Sequence, residues 1–225
     1  MHVWHARRLP FSEDLKMSKG RGSQKCPTSN SETPAVRKAL LNAMPGFFAD
    51  FTDKCLVDSN SVMMFTADAG QCHPIVEVDY MASLRYQAIG SKHVLLAPYT
   101  ELVAGMKGMT GIVMPPAMSP VRGAGFLREL NQANMKKLAR ACPLYTGLVA
   151  QGEVLYTPAG FCSVELSGEK GSSGFSLRGL CKADKSLVSF SEEWLKPLVN
   201  SGKASETIAK LQELIEKGAL PDVPC

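Results

Sequence analysis

Residues able to do chemistry gather in two stretches of the chain. In the first, Glu77 and Asp79 put two carboxylates close together on the apolar run that starts at Ile75. With no cation between them they repel, and the pair tends to bind a proton. Lys92 follows the Gly90-Ser91 turn and fits two readings. It is an anion anchor gripping a carboxylate as a point charge, or an exposed lysine of the kind common at hairpin ends. The second stretch is Gly152 to Ser163. Gly152-Glu153 opens a turn, Val154-Leu155-Tyr156 reads as a buried strand, and Pro158-Ala159-Gly160 bends the chain to deliver Phe161, Cys162 and Ser163.

The usual metal donors are sparse. The four histidines are His2, His5, His73 and His93, and the first two lie in a basic leader. His73 precedes Glu77 by four residues and reads as an isolated histidine, solvated or hydrogen-bonded. His93 follows Lys92 in a strand, so the two side chains point to opposite faces. The seven cysteines include no Cys-x-x-Cys pair, which argues against a zinc ribbon or a redox dithiol. Scattered free thiols fit a reducing compartment. Cys162, beside Phe161, reads as a small core residue.

The elements that must position these residues are legible in part. A chain of 225 residues, 45% apolar and 20% charged, suits one soluble domain with extensions. Residues 1–38 hold eight Lys/Arg against three Asp/Glu, while the remainder holds 17 against 18. The folded part is close to neutral, which argues against nucleic-acid binding. No apolar run approaches the roughly 18 residues of a membrane span. Arg7 and Arg8 hint at a transit peptide, but Glu13 and Asp14 count against one, so the expectation is cytosol or nucleus. Met17 offers an alternative start.

Residues 1–34 read as a disordered basic leader and 35–182 as the main domain. Residues 183–225 read as a helical extension. Ala35–Ala43 is expected to form a short helix. Strands are expected at Val62–Phe65, Ile75–Val78, Leu84–Ile89, His93–Leu96, Val154–Tyr156, Ser163–Leu166 and Phe175–Leu180. Gly90-Ser91 and Gly168–Gly174 read as turns between them. A Gly/Pro-rich insertion covers about 100–145, irregular over 100–125 and helical near 126–141. The C-terminal helix has Ser205 as N-cap and a stripe of Ile208, Leu211, Leu214 and Ile215, and it ends at Gly218.

Taken together, the two stretches resemble the Jumonji-C (JmjC), cupin-like domain of the 2-oxoglutarate-dependent dioxygenase superfamily, over about residues 45–182. Pro45-Gly46-Phe47-Phe48 resembles the aromatic entry segment of such domains. With Gly90 as anchor, Glu77 stands where the family has the first iron-binding histidine, and Asp79 stands on its aspartate. Ser83 replaces an asparagine that helps hold the cosubstrate, Gln87 and Gly90 match, and Lys92 matches the lysine that pairs with the far carboxylate of 2-oxoglutarate. Ser163 stands where the last iron-binding histidine belongs. The resemblance implies a mainly β fold, a double-stranded β-helix (cupin-like jelly roll) with flanking helices.

The substitutions argue against the family's chemistry. Ferrous iron of this class is held by two imidazoles and one carboxylate. Glu77, Asp79 and Ser163 make an oxygen-only set better suited to magnesium, calcium or manganese. The expectation is therefore no cofactor and a non-catalytic binding or scaffold module, with a protein or a small anion as partner. The alternative is an active protein hydroxylase or demethylase-like oxygenase using a divalent metal and 2-oxoglutarate. A third reading is an interaction protein working through its C-terminal helix. Arg178 is a second candidate anion partner, and Tyr86 and Tyr156 are candidates to line a cavity.

Overall fold

The computed structural model describes residues 3–4, 62–71, 75–79, 81–107, 109, 121–122, 132–179 and 185–220. Two long strands organise it, β4 (Ala82–Pro98) and β8 (Phe161–Gly179), and they pair antiparallel along their length. Each is flanked on its other edge by a strand broken in two. Beside β4 run β6 (Tyr145–Val149) and β7 (Val154–Thr157). Beside β8 run β2 (Val62–Ala67) and β3 (Ile75–Asp79). Two short strands complete the sheet: β1 (Val3–Trp4) pairs with β7, and β5 (Val121–Arg122) pairs with β3. The architecture is mainly β and antiparallel, with helices at its margins.

The register shows that the long strands are bent double. Asp79 pairs with Phe161 at one end of β8, while Ala82 pairs with Gly179 at the other. A straight strand of 19 residues would separate those ends by about 60 Å, yet three residues of chain reach no further than about 11 Å. The same holds for β4. Thr157 pairs with Ser83 and Phe161 with Pro98, and only Pro158, Ala159 and Gly160 lie between the two. The sheet therefore folds into two facing halves. β6, the second half of β4, the first half of β8 and β3 form one. β7, the first half of β4, the second half of β8 and β2 form the other.

The bend has a local cause. The register slips between Gln87 and Ile89 and again between Gly90 and Lys92, where β4 advances two residues against five on β8. One extra residue at Ala88 reverses the alternation of side chains. Ser83, Arg85 and Gln87 face the interior before it, and Lys92, Val94 and Leu96 face it afterwards. Gln87 secures the corner: its Nε2 donates to the Ile89 carbonyl at 2.7 Å and to Ser172 Oγ at 3.0 Å. Its backbone bonds to the β6–β7 loop through Glu153 O and Gly152 N. At the crossing, Gly90 has φ +73°, and a Cβ there would lie 2.1 Å from the Gly171 carbonyl oxygen.

Helices cover the outer face of the β3–β6 half. Leu95, Ala97, Cys162 and Val164 point to it and join a core built on α1 (Tyr99–Met106) and α2 (Gln132–Ala141). The chain after β8 adds α3 (Lys185–Phe190), a π-helical turn (Ser191–Leu195), α4 (Lys196–Asn200) and α5 (Glu206–Glu216). Tyr99 meets Phe190 and Trp194 edge-on, with ring centroids 5.8 and 5.6 Å apart. Ser205 caps α5 by accepting from the Ile208 N–H. Leu211 of its apolar stripe is buried in this core, with Ile208, Leu214 and Ile215 packed against it.

Several expectations need correction. Gly90-Ser91 and Gly168–Gly174 do not separate hairpin strands; each is the corner inside one long strand. Residues 100–125 are not wholly irregular, since α1 begins at Tyr99 and residues 121–122 pair with β3. The helix near 126–141 is described from Gln132, β6 was not read from the sequence, and the helices of 185–200 fall within the segment read as a helical extension. Of the leader 1–34, only Val3–Trp4 are described, as a two-residue strand beside β7. The helix expected at 35–43 and the segment 45–48 lie outside the described residues.

The corner supplies a test. Gly90→Ala and Gly174→Ala, whose Cβ would lie 2.0 Å from the Tyr86 carbonyl oxygen, are each expected to destabilise the fold by about 2–4 kcal/mol in urea unfolding. Gly147→Ala, with nothing within 4 Å, is expected to change stability by less than about 1 kcal/mol. Equal effects at all three would contradict the corner.

Candidate functional site

The interior between the facing halves is polar to a degree unusual for a core. Arg85 stands on the β7–β2 half, in register with Leu155 and Ser176. Its guanidinium crosses to the opposite half, where Nη1 pairs with Glu165 and donates to Ser163 Oγ at 3.4 Å. Lys92, one diagonal along the β4–β8 ladder from Glu165, donates Nζ to the same carboxylate at 3.1 Å. The Lys92 ammonium also lies over the Phe65 ring, 4.2 Å from its centroid. Glu165 thus holds two cations, one from each half of the sheet.

Burial sets the electrostatics of this cluster. Lys92 is 1% exposed and Arg85 is 7% exposed. Loss of solvation, and then the neighbouring Arg85 charge, push the Lys92 pKa well below the ordinary value of 10.5. An apolar group of Val94, Leu96, Val149, Leu155 and Phe161 packs on one side of this interior, with Tyr145 against Phe161 at 6.1 Å between centroids. On the other side are Ser83, Thr157 and Ser176, buried hydroxyls without a hydrogen-bond partner. Each such group costs about 1–3 kcal/mol when desolvated and unbonded.

The structure brings several sequence candidates together. Ser163 and Lys92 both touch the ion cluster, and Ser83 is in its wall. Glu77 is opposite Ser163 and Asp79 opposite Phe161 in the backbone register. Arg178 is paired with Ser83 across β4–β8. Lys92 is not the exposed hairpin-end lysine of the second reading, while His93, its neighbour, is exposed. Tyr86 and Tyr156 do not share the face of Arg85; their register with Phe175 and Leu84 puts them on the opposite one. Cys162 lies in the helical core, where burial pushes its thiol up to about 12. His73 lies outside the described residues.

Arg85 and Glu165, the two residues that make the cluster, were missed. The signal available was a charge in phase with Gln87 on an otherwise apolar strand, and a lone carboxylate between Val164 and Leu166. Neither reveals a partner in a distant part of the chain.

No protein-family model matches the chain, and no curated protein matches it. Among solved structures it is similar to Drosophila melanogaster CENP-C bound to CAL1, with 8% identity over 54% of this chain and 66% of that one, at a TM-score of 0.31. It is also similar to BH2720 from Bacillus halodurans, with 10% identity over 52% and 60%, at 0.31. A third neighbour is the 11S allergen of Cocos nucifera, with 14% identity over 68% and 32%, at 0.30. Each alignment spans less than two thirds of the neighbour's chain. At these TM-scores the likenesses carry no argument about fold or function.

The shared carboxylate makes the cluster asymmetric. Glu165→Gln leaves two cations facing each other and is expected to destabilise by about 3–5 kcal/mol, whereas Lys92→Met leaves Glu165 paired with Arg85 and is expected to stay within about 1.5 kcal/mol. The folded state holds the Lys92 proton less tightly than the unfolded chain. Stability from this residue is therefore expected to rise as pH climbs from the lowered folded value towards 10.5, by at most about 1.4 kcal/mol per pH unit. Denaturant midpoints across alkaline pH check this: Lys92→Met should flatten the rise. An unchanged slope in Lys92→Met, or a neutral Glu165→Gln, would contradict the account.

Proposed function

We propose that the chain is a JmjC/cupin-like domain, a double-stranded β-helix that does not catalyse and serves as a binding or scaffold module. The fold part of the reading draws support from two long strands bent double, each flanked by a broken strand, so that two antiparallel half-sheets face each other. The site part draws support from order and register, with Glu77, Asp79, Ser83, Lys92 and Ser163 all on strands that meet at one interior.

One observation carries the non-catalytic reading. The Arg85 guanidinium donates to Ser163, the position that the resemblance assigns to an iron-binding histidine. A permanent cation there repels a metal ion, and a hydroxyl already accepting from arginine is a poor donor to one. The second requirement of the family's chemistry is also met from within, since Lys92 grips Glu165 where a cosubstrate's carboxylate would be gripped. The residues do not fit ferrous iron with 2-oxoglutarate. The interior supplies its own cation and its own carboxylate.

The test is metal analysis of the purified full chain with an assay of 2-oxoglutarate consumption after adding ferrous iron. The expected result is less than a tenth of an equivalent of bound iron and no consumption above the protein-free control. Glu77→His with Ser163→His is expected to remain iron-free while Arg85 stays, and to gain ferrous iron when Arg85→Leu is added. A parent that holds one equivalent of iron and consumes 2-oxoglutarate would overturn the reading in favour of an active oxygenase.

A further inference from the structure

Three hydroxyls in the interior are not absorbed by the ion cluster. Ser83, Thr157 and Ser176 are 0%, 1% and 5% exposed, and their oxygens have no hydrogen-bond partner. They come from three adjacent strands and are neighbours. Ser83 faces Thr157 directly across β4–β7, and Ser176 faces Arg85 across β4–β8, one pleat along from Ser83. Alternation puts Ser83 and Arg85 on one face. Arg85 extends from that face to Ser163 and Glu165 of the other half, so the face is the interior one.

Orphaned buried hydroxyls are rare, and each calls for a physical reason. Three on one patch define what would satisfy them. Each can donate one O–H, so the matching group accepts several hydrogen bonds at once. Arg178 shares their face, opposite Ser83 in the backbone register; its charge favours an acceptor that is negative, whereas the Arg85 charge is already met by Glu165. That combination describes one oxyanion head, a carboxylate, sulfate or phosphate group. Lys92 offers no free cation to a second acidic head, because it is held by Glu165 at 3.1 Å and covered by the Phe65 ring.

We propose that Ser83, Thr157 and Ser176 form a binding site for one small, single-headed oxyanion, held by hydroxyl donors on the face that Arg178 shares. The proposal rests on the binding-module reading and gives it a ligand class. The site needs no metal.

Isothermal titration of the full chain in EDTA tests it, using sodium acetate, sulfate and phosphate at an ionic strength matched with sodium chloride. Saturable binding of one equivalent is expected for at least one of the three, and the arm that binds identifies the head group. Ser83→Ala and Ser176→Ala are each expected to weaken that binding by about tenfold. Thr157→Ser keeps its hydroxyl and is expected to stay within about threefold of the parent. The proposal is overturned if none of the anions gives a saturable isotherm, the outcome expected of hydroxyls bonded to water alone. It is equally overturned if the two alanine variants, shown to be folded by circular dichroism, bind as the parent does. Iron bound by the parent would sink the non-catalytic reading and leave this site standing; absent oxyanion binding would do the reverse.

Discussion

The close crossing of the two long strands governs everything else in this protein. At Gly90 the β4 backbone passes so near the Gly171 carbonyl that no side chain fits between them. That contact lets a 17-residue and a 19-residue strand fold back on themselves together. Without it the ends of β8 would stand far apart, and the short links from β3 to β4 and from β7 to β8 would be impossible. The bulge that makes the bend also reverses the alternation. A single strand thereby aims Arg85 from one half and Lys92 from the other into the same space.

That space is polar, which changes how the fold is held. The larger apolar cluster lies outside the sheet, between the β3–β6 half and the helices that carry Leu102, Met106, Leu138, Phe190 and Leu195. The interior instead closes on charge, with Glu165 bridging Arg85 and Lys92. Buried ion clusters contribute little net stability, because desolvation offsets attraction. Their value is positional: a carboxylate held by Lys92 of its own half and by Arg85 from across the gap sets the spacing of the halves. The interior is divided, with Val94, Leu96, Val149, Leu155 and Phe161 packed together in one part and the ion cluster and the unbonded hydroxyls in the other. Both functional readings follow from that division of labour.

Much of this was legible in the chain. The strands around Val62, Ile75, His93 and Val154 follow from apolar runs and β-branched content, and the terminal helix follows from Ser205, its stripe and Gly218. The positions of Ser83, Lys92 and Ser163 were reached by resemblance, and the opposite facing of Lys92 and His93 by alternation alone. The corners were misread because glycine and serine signal a turn equally well when the chain reverses or only bends. Arg85 and Glu165 were overlooked for a related reason. Their contact spans 80 residues and a parity reversal at Ala88, and neither is visible in local pattern. Within the helical extension the bounds of the helices of 185–200 were not drawn, although Asp184, before Lys185, is of a type that caps helix starts.

A double-mutant cycle on Arg85 and Glu165 tests the central claim, that one ion pair joins the two halves across the interior. Arg85→Met, Glu165→Gln and the double variant would be unfolded in urea at neutral pH. The account predicts a coupling free energy of at least about 1.5 kcal/mol, with the double variant less destabilised than the sum of the singles. Coupling within about 0.3 kcal/mol of zero would mean that the two side chains do not meet in solution. The facing of the two halves, and the reading of the interior built on it, would then be contradicted.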